Sequence, residues 1–248
     1  MMSLTEVNVF DVAKKQFTYK LRANSTVFAG MIGVQLIAIL FSLNGTGMSG
    51  SGSNNLFISF TSYSGNIIIL FTMFWSFILA YTMTTKTQKD MDFTFVSNRQ
   101  SSNISNGLFL ITTSCISGAT AVLAGFLLKT IIYFTFGQEA ILMESVSPYE
   151  LIGGILITIF YILLISSIGY FVGSLMQLNK LLKFLVPTLF FGSLFISTAN
   201  TGTVTFITNL LQFFSQEASL FLLTLKILFS VSALFFASIF VSDRMEVK

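Results

Sequence analysis

Histidine is absent from the 248-residue chain, and cysteine occurs once, at Cys115. Without imidazole there are no histidine metal ligands, no Ser–His or Cys–His nucleophile pairs and no histidine general bases. A single cysteine forms no internal disulfide and no thiolate cluster. Cys115 sits in an apolar stretch, where cysteine acts as a small packing residue. Charge is scarce. Asp, Glu, Lys and Arg make up 9% of the chain, against about a quarter in an ordinary soluble domain. Too few charges remain to coat a water-facing surface, which excludes a soluble globular chain and a disordered one. Proline occurs twice. There is no Walker lysine loop and no basic-aromatic patch, so no nucleotide through that motif and no nucleic acid is expected. The long apolar runs carry no carboxylates, which disfavours a proton-coupled carrier.

Hydrophobic residues reach 54%, with 29 phenylalanines. A β-barrel would show short alternating segments. Long continuous runs predict membrane helices instead, each needing about 20 apolar residues. Six spans are expected: Thr26–Leu43, Gly65–Thr84, Gly107 past Leu128 towards Phe136, Leu151–Met176, Leu182–Thr198 and Leu220–Val241. The stretch before the first run carries Glu6, Asp11, Lys14 and Lys15 and no small-residue cleavage site, so the first run is expected to stay in the chain. The predicted fold is an all-α membrane protein, one transmembrane domain over residues 1–248.

Charge sorting sets the orientation. Lys14, Lys15, Lys20, Arg22, Lys86, Lys89, Arg99, Lys180, Lys183, Arg244 and Lys248 fall on one side of a six-span layout. The opposite loops hold Glu139, Glu144, Glu150 and Glu217 and no Lys or Arg. Basic loops stay cytoplasmic, so both termini are expected inside. Lys129 and Lys226 stand apart, near the outer ends of their helices. They read either as interfacial anchors that snorkel or meet an outer glutamate, or as cations lining an outward cavity.

Other segments are not spans. Residues 1–25 predict an interfacial helix. Ser3 and Glu6 have capping-box spacing, and Phe10, Ala13, Phe17 and Leu21 recur at helical steps beside Lys14, Lys15 and Arg22. Residues 85–105 form the longest cytoplasmic loop. Its Met91, Phe93, Phe95 and Val96 need cover, either from the bundle or from a groove on a soluble partner. Thr112, Thr113, Ser114, Ser117 and Thr120 make the third span polar; such hydroxyls bond back to their own helix or face other helices and water. Gly169 and Gly173 form a small-xxx-small step for close packing. Ser147-Pro148 suits a helix start, and Pro187 predicts a kink in the fifth span. Gly45–Asn55 is rich in Gly, Ser and Asn and reads as a flexible outer loop. Within residues 199–219, Phe206, Leu210, Leu211 and Phe214 suggest a re-entrant outer helix before the sixth span.

This layout resembles the permease subunits of type-2 ABC transporters. The stretch Asp92-Phe93-Thr94-Phe95-Val96-Ser97-Asn98-Arg99-Gln100 is similar to the acidic–aromatic–Ser–x–Arg stretch those permeases carry after their second span, with Val96 where the family usually has proline. The resemblance implies that Met91, Asp92, Phe93, Phe95, Val96 and Arg99 couple to a separate ABC ATPase. It implies a second permease copy or a related one, a path with Thr112, Thr113, Ser117, Lys129 and Lys226 as candidate lining residues, and no catalytic residue or metal in this chain. ATP and Mg would sit on the ATPase. The chain is similar to small permeases of bacterial peptide-toxin and antimicrobial exporters, such as the phenol-soluble modulin exporters. That implies export of an amphipathic or hydrophobic cargo across the bacterial cytoplasmic membrane. Alternatives are a lipid or lipid-linked polysaccharide permease of the same architecture, and a non-transporting scaffold or sensor subunit. An intramembrane enzyme has no residues to use: there is no histidine and no paired carboxylate, and a Ser–Lys dyad would rely on Lys129 or Lys226 staying unprotonated.

Overall fold

In the computed structural model the described residues are 9–45, 47–53, 56–88, 99–136, 147–178, 181–182, 184–185, 188, 209, 212–214, 216–217 and 219–243. The elements run α1 (Val9–Ala23), α2 (Ser25–Ser42), β1 (Gly47–Ser53), β2 (Leu56–Ser62), α3 (Asn66–Met83), α4 (Arg99–Phe136), α5 (Pro148–Leu178) and α6 (Leu220–Asp243). Five helices, α2 to α6, are long and apolar enough to cross a membrane, the pattern of a multi-pass membrane protein. They coincide with the first four expected spans and the sixth. The expected fifth span, with Pro187, lies almost entirely outside the described residues. So do most of the re-entrant segment, the Ser3–Glu6 capping box and the segment Met91–Val96.

The surface of these helices is inside-out relative to a water-soluble protein. Leu40, Phe74, Phe134, Phe229 and Phe236 are all more than half exposed, as lipid-facing side chains should be. The buried positions carry many hydroxyls. Several close on their own helix: Thr72 donates to the Ile68 carbonyl (2.7 Å), Ser166 to Leu163 (2.8 Å) and Ser167 to Leu164 (2.7 Å). A hydroxyl bonded within its own helix turn does not mark an aqueous path.

α4 is 38 residues long, about 57 Å at 1.5 Å per residue, and exceeds what a bilayer core requires. It starts at Arg99, earlier than the apolar run from Gly107. Ser101, Ser102, Asn103, Ser105 and Asn106 are poor helix formers, yet all are buried. Tertiary partners, not propensity, extend the helix through them.

The Gly-rich stretch after α2 also differs from expectation. Gly47–Ser53 pairs antiparallel with Leu56–Ser62, in a register from Gly47↔Ser62 to Ser53↔Leu56. Leu56-Phe57-Ile58 and Phe60-Thr61 are good strand formers, and they bring the Gly/Ser partner into the ladder. Gly45 takes φ 90°, which only glycine enters freely, and turns the chain out of α2.

The start of α5 follows the sequence closely. Pro148 is its first residue. The Ser147 N–H donates to Glu150 Oε2 (2.9 Å) and the Glu150 N–H donates to Ser147 Oγ (3.3 Å), a reciprocal capping box. Ser147→Ala should lower stability by about 1 kcal/mol. Adding Glu150→Ala should cost less than the sum of the two single changes, because either change already breaks the reciprocity. Thermal melts of the four proteins in one detergent check this.

The chain divides into two compact units: Met1–Ala23, Phe77–Ile111 and Leu163–Lys248 form the first, Asn24–Ser76 and Thr112–Ile162 the second. In the second unit Ala38, Ile39, Ile68, Ala121, Leu128 and Ile132 make an apolar core. Gly118 of α4 lies against Ile159 of α5, where an added Cβ would come within 2.6 Å of the Ile159 side chain and 2.9 Å of its Cα. In the first unit Gly169 lies against the Phe77 backbone of α3, and Gly173 against Tyr81 and Thr84. The Gly169/Gly173 step thus brings α5 and α3 together within one chain.

Candidate functional site: a buried polar network

The densest polar chemistry among the described residues lies in the first unit, where α1 meets the start of α4. On α1, Ala13, Gln16 and Lys20 are the buried positions, and their three- and four-residue steps put them on one helix face. The expected apolar stripe behaves differently. Phe17 and Leu21 are half-buried and Phe10 is 58% exposed, while Asp11, Lys14, Lys15 and Arg22 are exposed. Of this buried face, Lys20 finds a hydrogen-bonding partner at the start of α4.

Lys20 is only 6% exposed. Its Nζ donates to Asn106 Oδ1 (2.5 Å). Asn106 Nδ2 donates to the Tyr170 hydroxyl of α5 (3.3 Å), which donates to Asn103 Oδ1 (2.9 Å). Tyr170 also packs at a tilt against Phe235 of α6, with ring centroids 5.5 Å apart. One chain of hydrogen bonds therefore joins α1, one turn of α4 and α5. Such a network fixes orientation where it is satisfied. It is not fully satisfied. Both amide atoms of Gln16, the Nδ2 of Asn103 and the Oγ of Ser105 are buried without a hydrogen-bond partner. Buried groups left in that state are costly.

A second polar cluster lies in the second unit. Gln35 of α2 is buried. Its Nε2 reaches Thr120 Oγ1 (3.1 Å), Thr72 Oγ1 (3.4 Å) and the Ser117 carbonyl (3.4 Å). These contacts tie α2, α3 and α4 together by the polar glue that membrane helices use.

The residues singled out from sequence fall in different surroundings. Met91, Asp92, Phe93, Phe95 and Val96 lie outside the described residues. Arg99 opens α4. Thr112 is half-buried, and Thr113 and Ser117 are buried; Ser117 Oγ donates to the Ser114 carbonyl (3.3 Å). Lys129 is half-buried with its Nζ 5.9 Å from the Phe126 ring centroid. Lys226 forms an ion pair with Glu217, donates to the Phe213 carbonyl (3.4 Å) and stands 4.2 Å from the Phe213 ring centroid. Glu217 is one of the glutamates that the sequence offered as a partner for this lysine. Lys129 and Lys226 belong to different units. Among the described residues no group of three or more His, Cys, Asp or Glu side chains is placed to hold a metal ion.

Sequence reasoning missed Lys20, Asn103, Asn106, Tyr170 and Gln35. The charge pattern groups Lys20 with Lys14, Lys15 and Arg22 and does not distinguish it from them. The available signal was the run Gln100-Ser101-Ser102-Asn103-Ile104-Ser105-Asn106, polar yet continuous with an apolar helix, and an amide, Gln35, alone inside the first span. No protein-family model, no curated protein and no solved structure matches this chain.

Proposed function

We propose that this chain is the permease subunit of an ATP-driven ABC exporter of the type-2 architecture. It moves an amphipathic or hydrophobic cargo, such as a peptide toxin or antimicrobial, out across the bacterial cytoplasmic membrane. In this reading both termini are cytoplasmic, a separate ATPase docks on the segment from Met91 to Arg99, and a second permease completes the path. The observation that carries the reading is the way the N-terminal helix is held. α1 runs into the first span through the single residue Asn24. Its basic residues Lys14, Lys15 and Arg22 stay exposed while Lys20 bonds to α4 just beyond the proposed docking segment. An interfacial helix tied to the start of a long span suits a machine driven from its cytoplasmic side. ATP hydrolysis lies on the partner, so no residue here needs to be catalytic.

The test is purification from native cells in mild detergent. An ATP-hydrolysing subunit is expected in equal amount. Phe93→Ala with Phe95→Ala should strip it away by at least tenfold, the loss typical of a docking hot spot, while thermal unfolding of the chain stays unchanged. A chain that purifies alone under conditions that preserve other such complexes would sink the reading.

A further inference from the structure

We infer that Lys20 is a positioning residue that makes α1 move with the start of α4 and with α5. The inference rests on the permease reading, in which force enters through the segment preceding Arg99. Three observations carry it. First, Lys20 reaches across 86 residues of sequence to Asn106, so the bond is a tertiary tie and not local helix geometry. Second, the tie continues through the Tyr170 hydroxyl to Asn103, and Asn103 and Asn106 are neighbours one turn apart on α4. A displacement of that turn cannot leave Lys20 and Tyr170 behind without breaking buried hydrogen bonds. Third, the network has spare valence. Gln16 stands one turn from Lys20 on the same face, and its amide, Asn103 Nδ2 and Ser105 Oγ are unpartnered.

Buried polar groups without partners mark an arrangement able to close in more than one way. Coupling between distant parts of a protein requires an element with two discrete arrangements. Here that element is the α1–α4 contact, with Gln16 Oε1 and Ser105 Oγ as the spare acceptors open to Lys20. Lys20 suits the task because a lysine offers three donors on a flexible stem. It exchanges acceptors without losing burial.

The experiment uses the full chain with its co-purified ATPase in lipid nanodiscs, in a Cys115→Ser background because Cys115 is exposed. Spin labels go on the exposed positions Thr18→Cys and Gln100→Cys. With Lys20 intact the label pair should give one narrow distance component. Lys20→Met should lose it, and Asn106→Asp, which keeps the acceptor oxygen, should retain it. A Lys20→Met protein with an unchanged narrow component overturns the tie. Next, ATP with vanadate is added to singly labelled complexes. The Gln100 label should respond in both proteins, and the Thr18 label only where Lys20 is present. An equal Thr18 response in Lys20→Met overturns the positioning role, since a merely structural lysine predicts that result. Absence of any co-purifying ATPase overturns the permease reading and with it the ATP-driven part. The distance distribution of the isolated chain then decides the tie by itself.

Discussion

Gly169→Ala is expected to destabilise the chain by about 2–3 kcal/mol, the upper range for forcing extra volume into a packed interior. The added Cβ would come within 2.6 Å of the Phe77 carbonyl oxygen and 3.1 Å of the Phe77 Cα. The obstacle is backbone, so no side-chain rotation relieves it, and α3 and α5 must separate. Gly154→Ala, on the same helix, is the control. Nothing lies within 4 Å of a Cβ there, and alanine in a helix is favoured over glycine by up to about 1 kcal/mol. Melting in detergent should therefore move in opposite directions for the two substitutions. A Gly169→Ala protein as stable as its parent would show that α3 and α5 do not meet through this glycine.

Asn106→Leu is expected to cost about 3 kcal/mol. Leucine is similar in size, so packing volume is nearly kept. What is lost is one acceptor for the Lys20 ammonium and one donor to the Tyr170 hydroxyl. Removing one partner from a buried charged group is strongly destabilising. Gln16→Leu should act the other way, because it removes a buried amide that has no partner. Comparing the two separates a network that stabilises through its made bonds from a cluster that is merely polar. Equal melting temperatures for wild type and Asn106→Leu would refute the account of Lys20 given above.

Much of the fold was legible because the bilayer simplifies the reading. A helix that must satisfy its backbone within lipid announces itself by length and apolar composition, as Leu220–Asp243 does. Helix starts were legible where local chemistry decides them, as at Ser147, Pro148 and Glu150. Contacts made at distance were not. Nothing in the local sequence around Lys20 reveals that it meets Asn106, because charge counting treats every lysine as solvated. The helical start of α4 was hidden for the same reason: Ser and Asn favour turns when alone, and only the partners from α1 and α5 reverse that preference. The hairpin at Gly47–Ser62 was hidden because its first strand has almost no strand propensity and borrows its conformation from the second. Of the candidate path residues, the lysines were legible as outliers and a glutamate partner was foreseeable, but that Lys226 meets Glu217 is a contact only the structure identifies.

The burial of Lys20 also separates two stages in the life of the chain. Positive charges direct orientation while segments are being inserted, before helices have packed. At that stage Lys14, Lys15, Lys20 and Arg22 all act as solvated cations. In the folded protein Lys14, Lys15 and Arg22 remain exposed and Lys20 has withdrawn from the surface. The charge that the insertion machinery meets at the N-terminus is therefore larger than the charge the finished protein presents there. One lysine would thus count as a basic residue during insertion and be buried among helices once the chain has folded.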